Sequence, residues 1–168
     1  EMASPKKQRP SAPSPAEPAP DLHLATRAVE HFRQLSLEHP EHLPTLAAYL
    51  DVLGMSLWQQ GRAEEGRAKL EEAQGVYRRI VPSSPEQHAP PLARSLGALG
   101  SMRTQSGDHS GAMSAFQEAF QVLLPVARQN PAAHQVLLSA LVRDCLQTAK
   151  AGKVSVDSAT IAEVLRLL

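Results

Sequence analysis

The chain has 168 residues with 17 basic and 17 acidic side chains, so its formal net charge at pH 7 is zero, and this balance gives no long-range field to attract nucleic acid or an anionic membrane. Every apolar run is shorter than the ~18 residues that cross a bilayer, and a single cysteine, Cys145, excludes an internal disulfide. We expect a protein of the cytoplasm, with the nucleus as an alternative, that binds neither nucleic acid nor membrane and folds over residues 21–168.

Residues 1–20 are predicted to form a disordered, proline-rich tail. They hold six of the fourteen prolines and no large apolar residue after Met2, so they cannot bury enough surface to offset the entropy of ordering. The basic group at residues 6–9 has the composition of a nuclear address, and Lys7, Pro10 and Pro13 have the spacing of an SH3 ligand. A plain linker is the more frequent use of such a segment.

A first helix is predicted from Leu22 to the helix-ending pair His39-Pro40, with Asp21 as its N-cap. Its apolar residues follow the three-and-four spacing of one helical face. The next helix runs from Pro44 to about Gln60. These two elements precede a glycine-marked turn.

That turn is predicted at Gly61, because glycine readily adopts the left-handed backbone that a helix end often needs. A return helix begins at Ala63 and ends at Pro82, and a loop is predicted over residues 83–91. The two helices on either side of Gly61 form a complete pair.

A second pair begins at Leu92, and its return helix is capped by Asp108 or Ser110. We expect Pro125 to kink this helix or to end it near Leu124, because proline lacks an amide donor and crowds the preceding turn. The second pair therefore has a shorter return helix than the pattern alone would allow.

A third pair opens at about Pro131 and turns at Gly152, and its last helix covers about residues 157–168. Cys145 falls on the apolar stripe of this pair, where a thiol acts as a small buried hydrophobe. The last helix is short, and its apolar residues have no following repeat within the sequence to cover them all.

The first two pairs repeat each other at a fixed step of 46 residues. Leu46-Ala47, Gly54, Gly61, Ala73 and Pro85 recur as Leu92-Ala93, Gly100, Gly107, Ala119 and Pro131. Self-similar helix pairs of this length cannot bury their apolar faces alone and must stack on neighbours. The sequence therefore predicts an all-α fold, an α-solenoid of antiparallel helix hairpins with about seven helices.

The conserved spacing within each pair resembles the tetratricopeptide repeat. Leu53-Gly54 and Leu99-Gly100 are each followed by a glycine seven residues on, and then by Leu70 with Ala73 or by Phe116 with Ala119. The step of 46 residues exceeds the 34 typical of that family, as in its long-helix members. The resemblance covers most of residues 22–168 and implies a right-handed superhelix whose concave groove binds a peptide or helix of a partner protein.

The resemblance also implies which side chains line that groove. The positions are Ala48, Asp51, Met55 and Trp58 in the first pair, Arg94, Gly97, Ser101 and Thr104 in the second, and Ala140, Arg143, Gln147 and Lys150 in the third. We predict that partner binding uses Asp51, Met55, Trp58, Arg94, Ser101, Arg143, Gln147 and Lys150. Arg94, Arg143 and Lys150 would place cations where a partner's carboxylates or phosphates are met.

Three of these positions allow a further prediction. Trp58, the single tryptophan, is either a binding hot spot or an ordinary core residue. Asp51 and Met55 stand where tetratricopeptide domains that clamp a chaperone's terminal carboxylate use Lys and Asn, so we predict that this chain is not such a clamp.

No catalytic motif is present in the sequence. It contains no H-E-x-x-H helix, no phosphate-binding glycine loop and no G-x-S-x-G elbow. The densest group of possible metal ligands is His39-x-x-His42 with Glu38 and Glu41, which lacks a distant partner cluster. We predict a chain that is not an enzyme and holds no metal or cofactor.

Three functions fit these expectations. The leading one is a protein-interaction scaffold that binds a partner's peptide or helix in the groove. A second is self-association through the apolar end at residues 161–168 or through the first helix, since terminal repeats without polar caps tend to pair. A third is a regulatory segment of a larger enzyme or signalling protein, because Glu1 precedes Met2 and Leu168 lies inside a helical pattern.

Overall fold

The computed structural model describes residues 22–168, which form seven α-helices and no strand, so the all-α prediction is confirmed. The predicted tail and the Asp21 N-cap lie outside the described residues. The helices are α1 (Leu22–Glu38), α2 (Leu43–Gln59), α3 (Ala63–Ile80), α4 (Pro85–Gln105), α5 (His109–Gln129), α6 (Pro131–Gly152) and α7 (Ser158–Leu167). Two short 3-10 turns, Pro40–His42 and Val81–Ser83, connect α1 to α2 and α3 to α4.

Left-handed residues end the first helix of each pair. Gly61 has a φ of 81° and Gly107 a φ of 84°, as predicted. The corresponding residue of the third pair is Lys153, with a φ of 51°, so the prediction of a turn at Gly152 is wrong by one residue. Gly152 instead allows a close approach, because a Cβ atom there would lie 2.4 Å from the Cβ of His109.

Prolines interrupt the helices less than expected. The predicted loop over residues 83–91 is wrong, because α4 begins at Pro85 and contains Pro90 and Pro91. Of the two outcomes predicted at Pro125, a kink or an early end near Leu124, the early end is wrong, because α5 continues for four more residues. In each case the carbonyl four residues before the proline belongs to an exposed residue, so water can satisfy the acceptor that the missing amide leaves unpaired.

Side-chain caps fix the starts of the later helices. Asp108 accepts a hydrogen bond from the Gly111 amide at 2.9 Å, which confirms one of the two predicted caps of α5. Asp157 caps α7 by accepting from the Ala159 amide at 3.1 Å. Each cap satisfies one of the four amide donors that a helix start leaves unpaired.

The helices pack in two layers, with even-numbered helices in one layer and odd-numbered helices in the other. The backbones of α2 and α4, and of α4 and α6, approach each other directly, whereas those of α1 and α3 and of α3 and α5 do not. Ion pairs connect successive odd-numbered helices, and of these pairs of helices only α5 and α7 also approach each other directly. They are Arg33–Glu72 between α1 and α3, Arg78–Glu118 between α3 and α5, and Arg128–Glu163 between α5 and α7.

The hydrophobic core lies between the two layers. Its largest fully buried side chains include Leu50, Leu70, Leu92, Leu96, Phe116, Leu123 and Leu138. Gly54 lets α2 approach α3 closely, since a Cβ atom there would lie 3.0 Å from Leu70 Cγ. Gly100 does the same for α4 and α5, since a Cβ atom there would lie 2.8 Å from the Phe116 ring. Among residues 22–168, no helix is long and apolar enough to cross a membrane.

Candidate functional site

An open cavity of about 520 Å³, here called the Asp51 cavity, lies between α2, α3 and α4. Its walls are apolar and come from three helices. Ala48, Val52 and Met55 of α2, Leu70 of α3 and Ala98 of α4 form them. The remaining lining is polar and is centred on one carboxyl group.

That group is the half-buried Asp51 side chain, which is hydrogen-bonded to two other helices. Ser95 Oγ of α4 donates to Asp51 Oδ1 at 2.6 Å, and the Tyr77 hydroxyl of α3 donates to the same carboxyl group. Gln74 Nε2 donates to the Ser95 carbonyl at 3.3 Å, which fixes the serine backbone. Ser95, Gln74 and Tyr77 are all buried, so the network holds Asp51 in one position at the cavity wall.

Burial dominates the electrostatics of this network. Loss of solvent raises the pKa of Asp51 to about 6, against the opposing effects of the Ser95 and Tyr77 hydrogen bonds and the Arg94 charge. Burial and the neighbouring Asp51 charge raise the pKa of Tyr77 as well. At pH 7 the Asp51 cavity therefore holds a carboxylate, and its hydrogen bonds compensate only partly for the water that it has lost.

A second cavity of about 250 Å³ lies between α4 and α6, here called the Thr148 cavity. Its lining is polar and consists of Ser101, Thr104, Gln105, Asp144, Gln147 and Thr148. The hydroxyl groups of Thr104 and Thr148 are hydrogen-bonded at 2.7 Å, which joins the two helices. This cavity offers hydroxyl and amide groups, which suit the polar backbone of another chain.

The two inter-helix contacts have the same register. The Asp51–Ser95 and Thr104–Thr148 bonds each join residues 44 positions apart. Gly97 also faces a residue at this separation, because a Cβ atom there would lie 2.7 Å from Leu141 Cδ2. The predicted exposure of Gly97 to the groove is therefore wrong, since the glycine is buried against α6.

The structure brings together five of the eight predicted partner-binding residues. Asp51, Met55 and Arg94 line the Asp51 cavity, and Ser101 and Gln147 line the Thr148 cavity. All five lie on the common face of α2, α4 and α6.

The other three predicted residues lie elsewhere. Trp58 is half-buried in a separate cavity near the α2–α3 turn, beside Met102 and Arg103. Arg143 and Lys150 are exposed and line neither the Asp51 cavity nor the Thr148 cavity. Arg143 Nε contacts Asp144 Oδ1 at 2.8 Å, so its charge is already paired within α6.

The sequence prediction missed Ser95, Gln74 and Tyr77. A comparison of the two copies of the repeat could have identified them, because the positions 46 residues later hold Leu141, Phe120 and Leu123. A polar residue where the other copy has a large apolar one is a signal that the helical periodicity by itself does not give.

Metal-ligand and nucleophilic groups are sparse in the described chain. Within residues 22–168, no three His, Cys, Asp or Glu side chains gather into a group that could hold a metal ion. In the group of possible metal ligands at residues 38–42, the rings of His39 and His42 are in contact. His39 Nδ1 lies 3.2 Å from Glu41 Oε1. Cys145 is buried, as predicted, and burial raises the pKa of its thiol.

Comparisons with known proteins show a likeness of fold. No family model matches the chain, and no curated protein matches it significantly. The chain is similar to the crystal structure of BtubC (BKLC) from P. vanneervenii, with a TM-score of 0.54 and 16% sequence identity over 87% of this chain and 55% of that one. The chain thus spans about half the length of BtubC, and at this identity the likeness concerns the fold alone.

Proposed function

We propose that this chain is a protein-interaction module, an α-solenoid of tetratricopeptide-like hairpins that binds an extended segment or helix of a partner protein. The binding surface is the common face of α2, α4 and α6. The observation that carries the proposal is that the Asp51 cavity and the Thr148 cavity both open on this face and share α4 as a wall. A surface with successive apolar and polar recesses suits a chain that carries both kinds of group.

The layer packing supports a curved, stacked arrangement. Even-numbered helices touch directly, while α1 and α3, and α3 and α5, are separated enough that long arginine and glutamate side chains bridge them. Helices that are closer on one side than on the other produce a layer that curves towards the closer side. The repeated 44-residue contacts agree with a regular stack.

The length of the surface sets the size of the ligand. Along α4 the lining residues Arg94, Ala98, Ser101 and Gln105 follow helical spacing on one side of the helix. With a rise of 1.5 Å per residue they extend over roughly 16 Å, which corresponds to about five residues of extended chain or about three turns of a helix. The ligand is therefore a short linear segment.

The remaining predicted residues take secondary roles in this proposal. Lys150 is exposed on α6 and supplies a cation for acidic groups at one end of the ligand, whereas Arg143 would first have to leave its contact with Asp144. Trp58 provides a separate contact beyond the end of the main surface. Because the separate cavity beside Trp58 is lined by different residues, Trp58 and the Asp51 cavity can be tested independently.

Selection from a random dodecapeptide library tests the proposal. Peptides that bind the full chain are synthesised, and their affinities are measured by fluorescence anisotropy. The test variant is Ala48→Trp, which places a large side chain in the Asp51 cavity from an exposed position. The matched control is Ala68→Trp, an equally exposed alanine on α3 that does not line this cavity.

We expect Ala48→Trp to weaken peptide binding at least tenfold and Ala68→Trp to leave it within twofold. Circular dichroism of both variants checks that helix content is unchanged. Failure to recover any binding peptide, or equal affinities for the two variants, contradicts the proposed binding surface.

A second candidate function is self-association through the last helices. Val136, Leu165 and Leu168 are 87%, 57% and 43% exposed, and Gln135 Nε2 donates to the Leu168 carbonyl at 3.1 Å, so the start of α6 lies beside the end of α7. Light scattering over a range of concentrations tests this candidate. A dimer that Leu165→Asp dissociates would support it, and a strict monomer would exclude it.

A further inference from the structure

The polar network around Asp51 occurs in one copy of the repeat. Asp51, Gln74, Tyr77 and Ser95 correspond to Gly97, Phe120, Leu123 and Leu141 at the 46-residue step. The second copy is buried at all four positions without a polar side chain. The helix packing is therefore compatible with apolar residues there, and packing alone does not explain why the first copy holds a carboxylate.

The carboxylate is also short of positive charge. Among residues 22–168, no ion pair within 4.0 Å involves Asp51. Arg94 acts on Asp51 only through its charge at longer range, and its side chain is exposed at the cavity lining. Ser95 and Tyr77 supply neutral hydrogen bonds, which compensate for lost hydration less completely than a cation does.

We infer that the Asp51 cavity binds a lysine or arginine side chain from the partner segment, with its cationic group on Asp51 and its aliphatic stem on Val52 and Met55. This inference rests on the proposed function and specifies its ligand. The stems of lysine and arginine pack on apolar surface while their ends remain polar, and the lining offers both environments.

Other side chains fit this cavity less well. A carboxylate or phosphate would be repelled by Asp51 at short range. An apolar side chain would exclude the remaining water and leave the Asp51 charge buried without a counter-charge, which is strongly unfavourable. A cation replaces the lost hydration and gains attraction in a partly desolvated site.

Binding of a cation should depend on pH through Asp51. The titratable and charged groups that act on Asp51 are Tyr77 from α3 and Arg94 from α4, and no group of α1 acts on it. Because burial raises the pKa of Asp51 to about 6, protonation weakens the attraction as the pH falls through that value. A bound cation favours the ionised form and lowers that pKa.

The test uses nonapeptide pools in which the central residue is fixed as Lys, Arg, Met or Glu and the other positions are randomised. Retention of each pool on the immobilised full chain is measured at pH 7.5 and pH 5. The test variant is Asp51→Asn, which keeps an acceptor for Ser95 and removes the charge. The matched control is Glu86→Gln, an exposed carboxylate of α4 that does not line the Asp51 cavity.

We expect wild type at pH 7.5 to retain the Lys and Arg pools at least fivefold more than the Met pool and tenfold more than the Glu pool. Asp51→Asn should abolish this preference, pH 5 should reduce it, and Glu86→Gln should preserve it. A preference that persists in Asp51→Asn overturns the inference.

Failure of the inference differs from failure of the proposed function. If all four pools bind equally and Ala48→Trp blocks them, the module binds peptides but Asp51 does not select a cation. If no pool binds, the proposed function fails and the inference fails with it.

Discussion

Ser95 Oγ lies 2.6 Å from Asp51 Oδ1, so a single hydrogen bond joins α4 to α2 beside a half-buried carboxylate. The hydroxyl group stabilises the ionised form but does not offset the effect of burial, because the pKa of Asp51 remains raised to about 6. The pair therefore affects both the stability of the helix packing and its dependence on pH.

We predict that Asp51→Asn stabilises the fold at neutral pH. Because the pKa of Asp51 is higher in the folded chain than its ordinary 3.8, the folded state binds the proton more tightly, and this contribution to stability is lost as pH rises through about 6. Urea unfolding should show a gain of about 1–2 kcal/mol at pH 7.5, allowing for the partial exposure of the group.

At pH 4 the same substitution should change the free energy of unfolding little, because Asp51 is already neutral in the folded state. The difference between wild type and variant as a function of pH isolates this group from the other carboxylates. A variant that is less stable than wild type at pH 7.5 would show that the hydrogen bonds outweigh the cost of burial.

Lys153→Gly should stabilise the chain. Lys153 has a φ of 51°, where Gly61 and Gly107 occupy the corresponding turns, and the left-handed backbone costs a residue with a Cβ atom about 1 kcal/mol. We expect a gain of about 0.5–1 kcal/mol in urea unfolding. Lys153→Ala removes the same charge and keeps the Cβ atom, so an equal gain in that variant would assign the effect to the charge.

Two glycines of α3 should respond in opposite directions to alanine. A Cβ atom at Gly66 would lie 2.6 Å from the Gly54 carbonyl oxygen and 3.0 Å from the Trp58 amide nitrogen, whereas one at Gly75 would meet no atom within 4 Å. Gly66→Ala must move α2 from α3 and should cost about 1–3 kcal/mol. Gly75→Ala should gain up to about 1 kcal/mol from helix propensity, and thermal unfolding of both variants measures the contrast.

The ion pair between α3 and α5 should be weak and salt-dependent. Arg78 donates to both carboxylate oxygens of Glu118, at 2.6 and 2.9 Å, and the pair is partly exposed. A double-mutant cycle with Arg78→Met and Glu118→Gln should give a coupling of about 0.5–1 kcal/mol at low salt. The coupling should fall at 1 M salt because the charges are screened, and a coupling that salt does not change would mean that packing carries it.

The helices could be predicted from the sequence because the spacing of apolar residues follows the period of a helix. Helical periodicity and the glycines at turns report which side chains are buried, so Gly61 and Gly107 were placed correctly. Pro90 was placed in the predicted loop over residues 83–91, but its position near the start of α4 leaves unpaired only the carbonyl of the exposed Glu86. The left-handed turn at Lys153 was missed because lysine, unlike glycine, has no preference for this backbone conformation.

The site residues were predicted less evenly. Asp51 and Arg94 were assigned from the resemblance to the tetratricopeptide repeat, and both line one cavity. Trp58 was assigned to the same face, yet it lies in a separate cavity near the α2–α3 turn. Ser95 was missed because its role depends on a hydrogen bond to Asp51 of α2, and the spacing of residues within α4 does not predict a contact with another helix.

The unequal connections within the two layers have a mechanical consequence. Arg33–Glu72 and Arg78–Glu118 link α1, α3 and α5, whose backbones do not approach each other directly. In the proposed solenoid we therefore expect this layer to be more easily deformed than the layer of α2, α4 and α6. Weakening the ionic links should let the hairpins splay and change the radius of gyration with little loss of helix content. Small-angle X-ray scattering at 50 mM and 1 M salt measures this compliance, and an unchanged radius would show that the stack is rigid throughout.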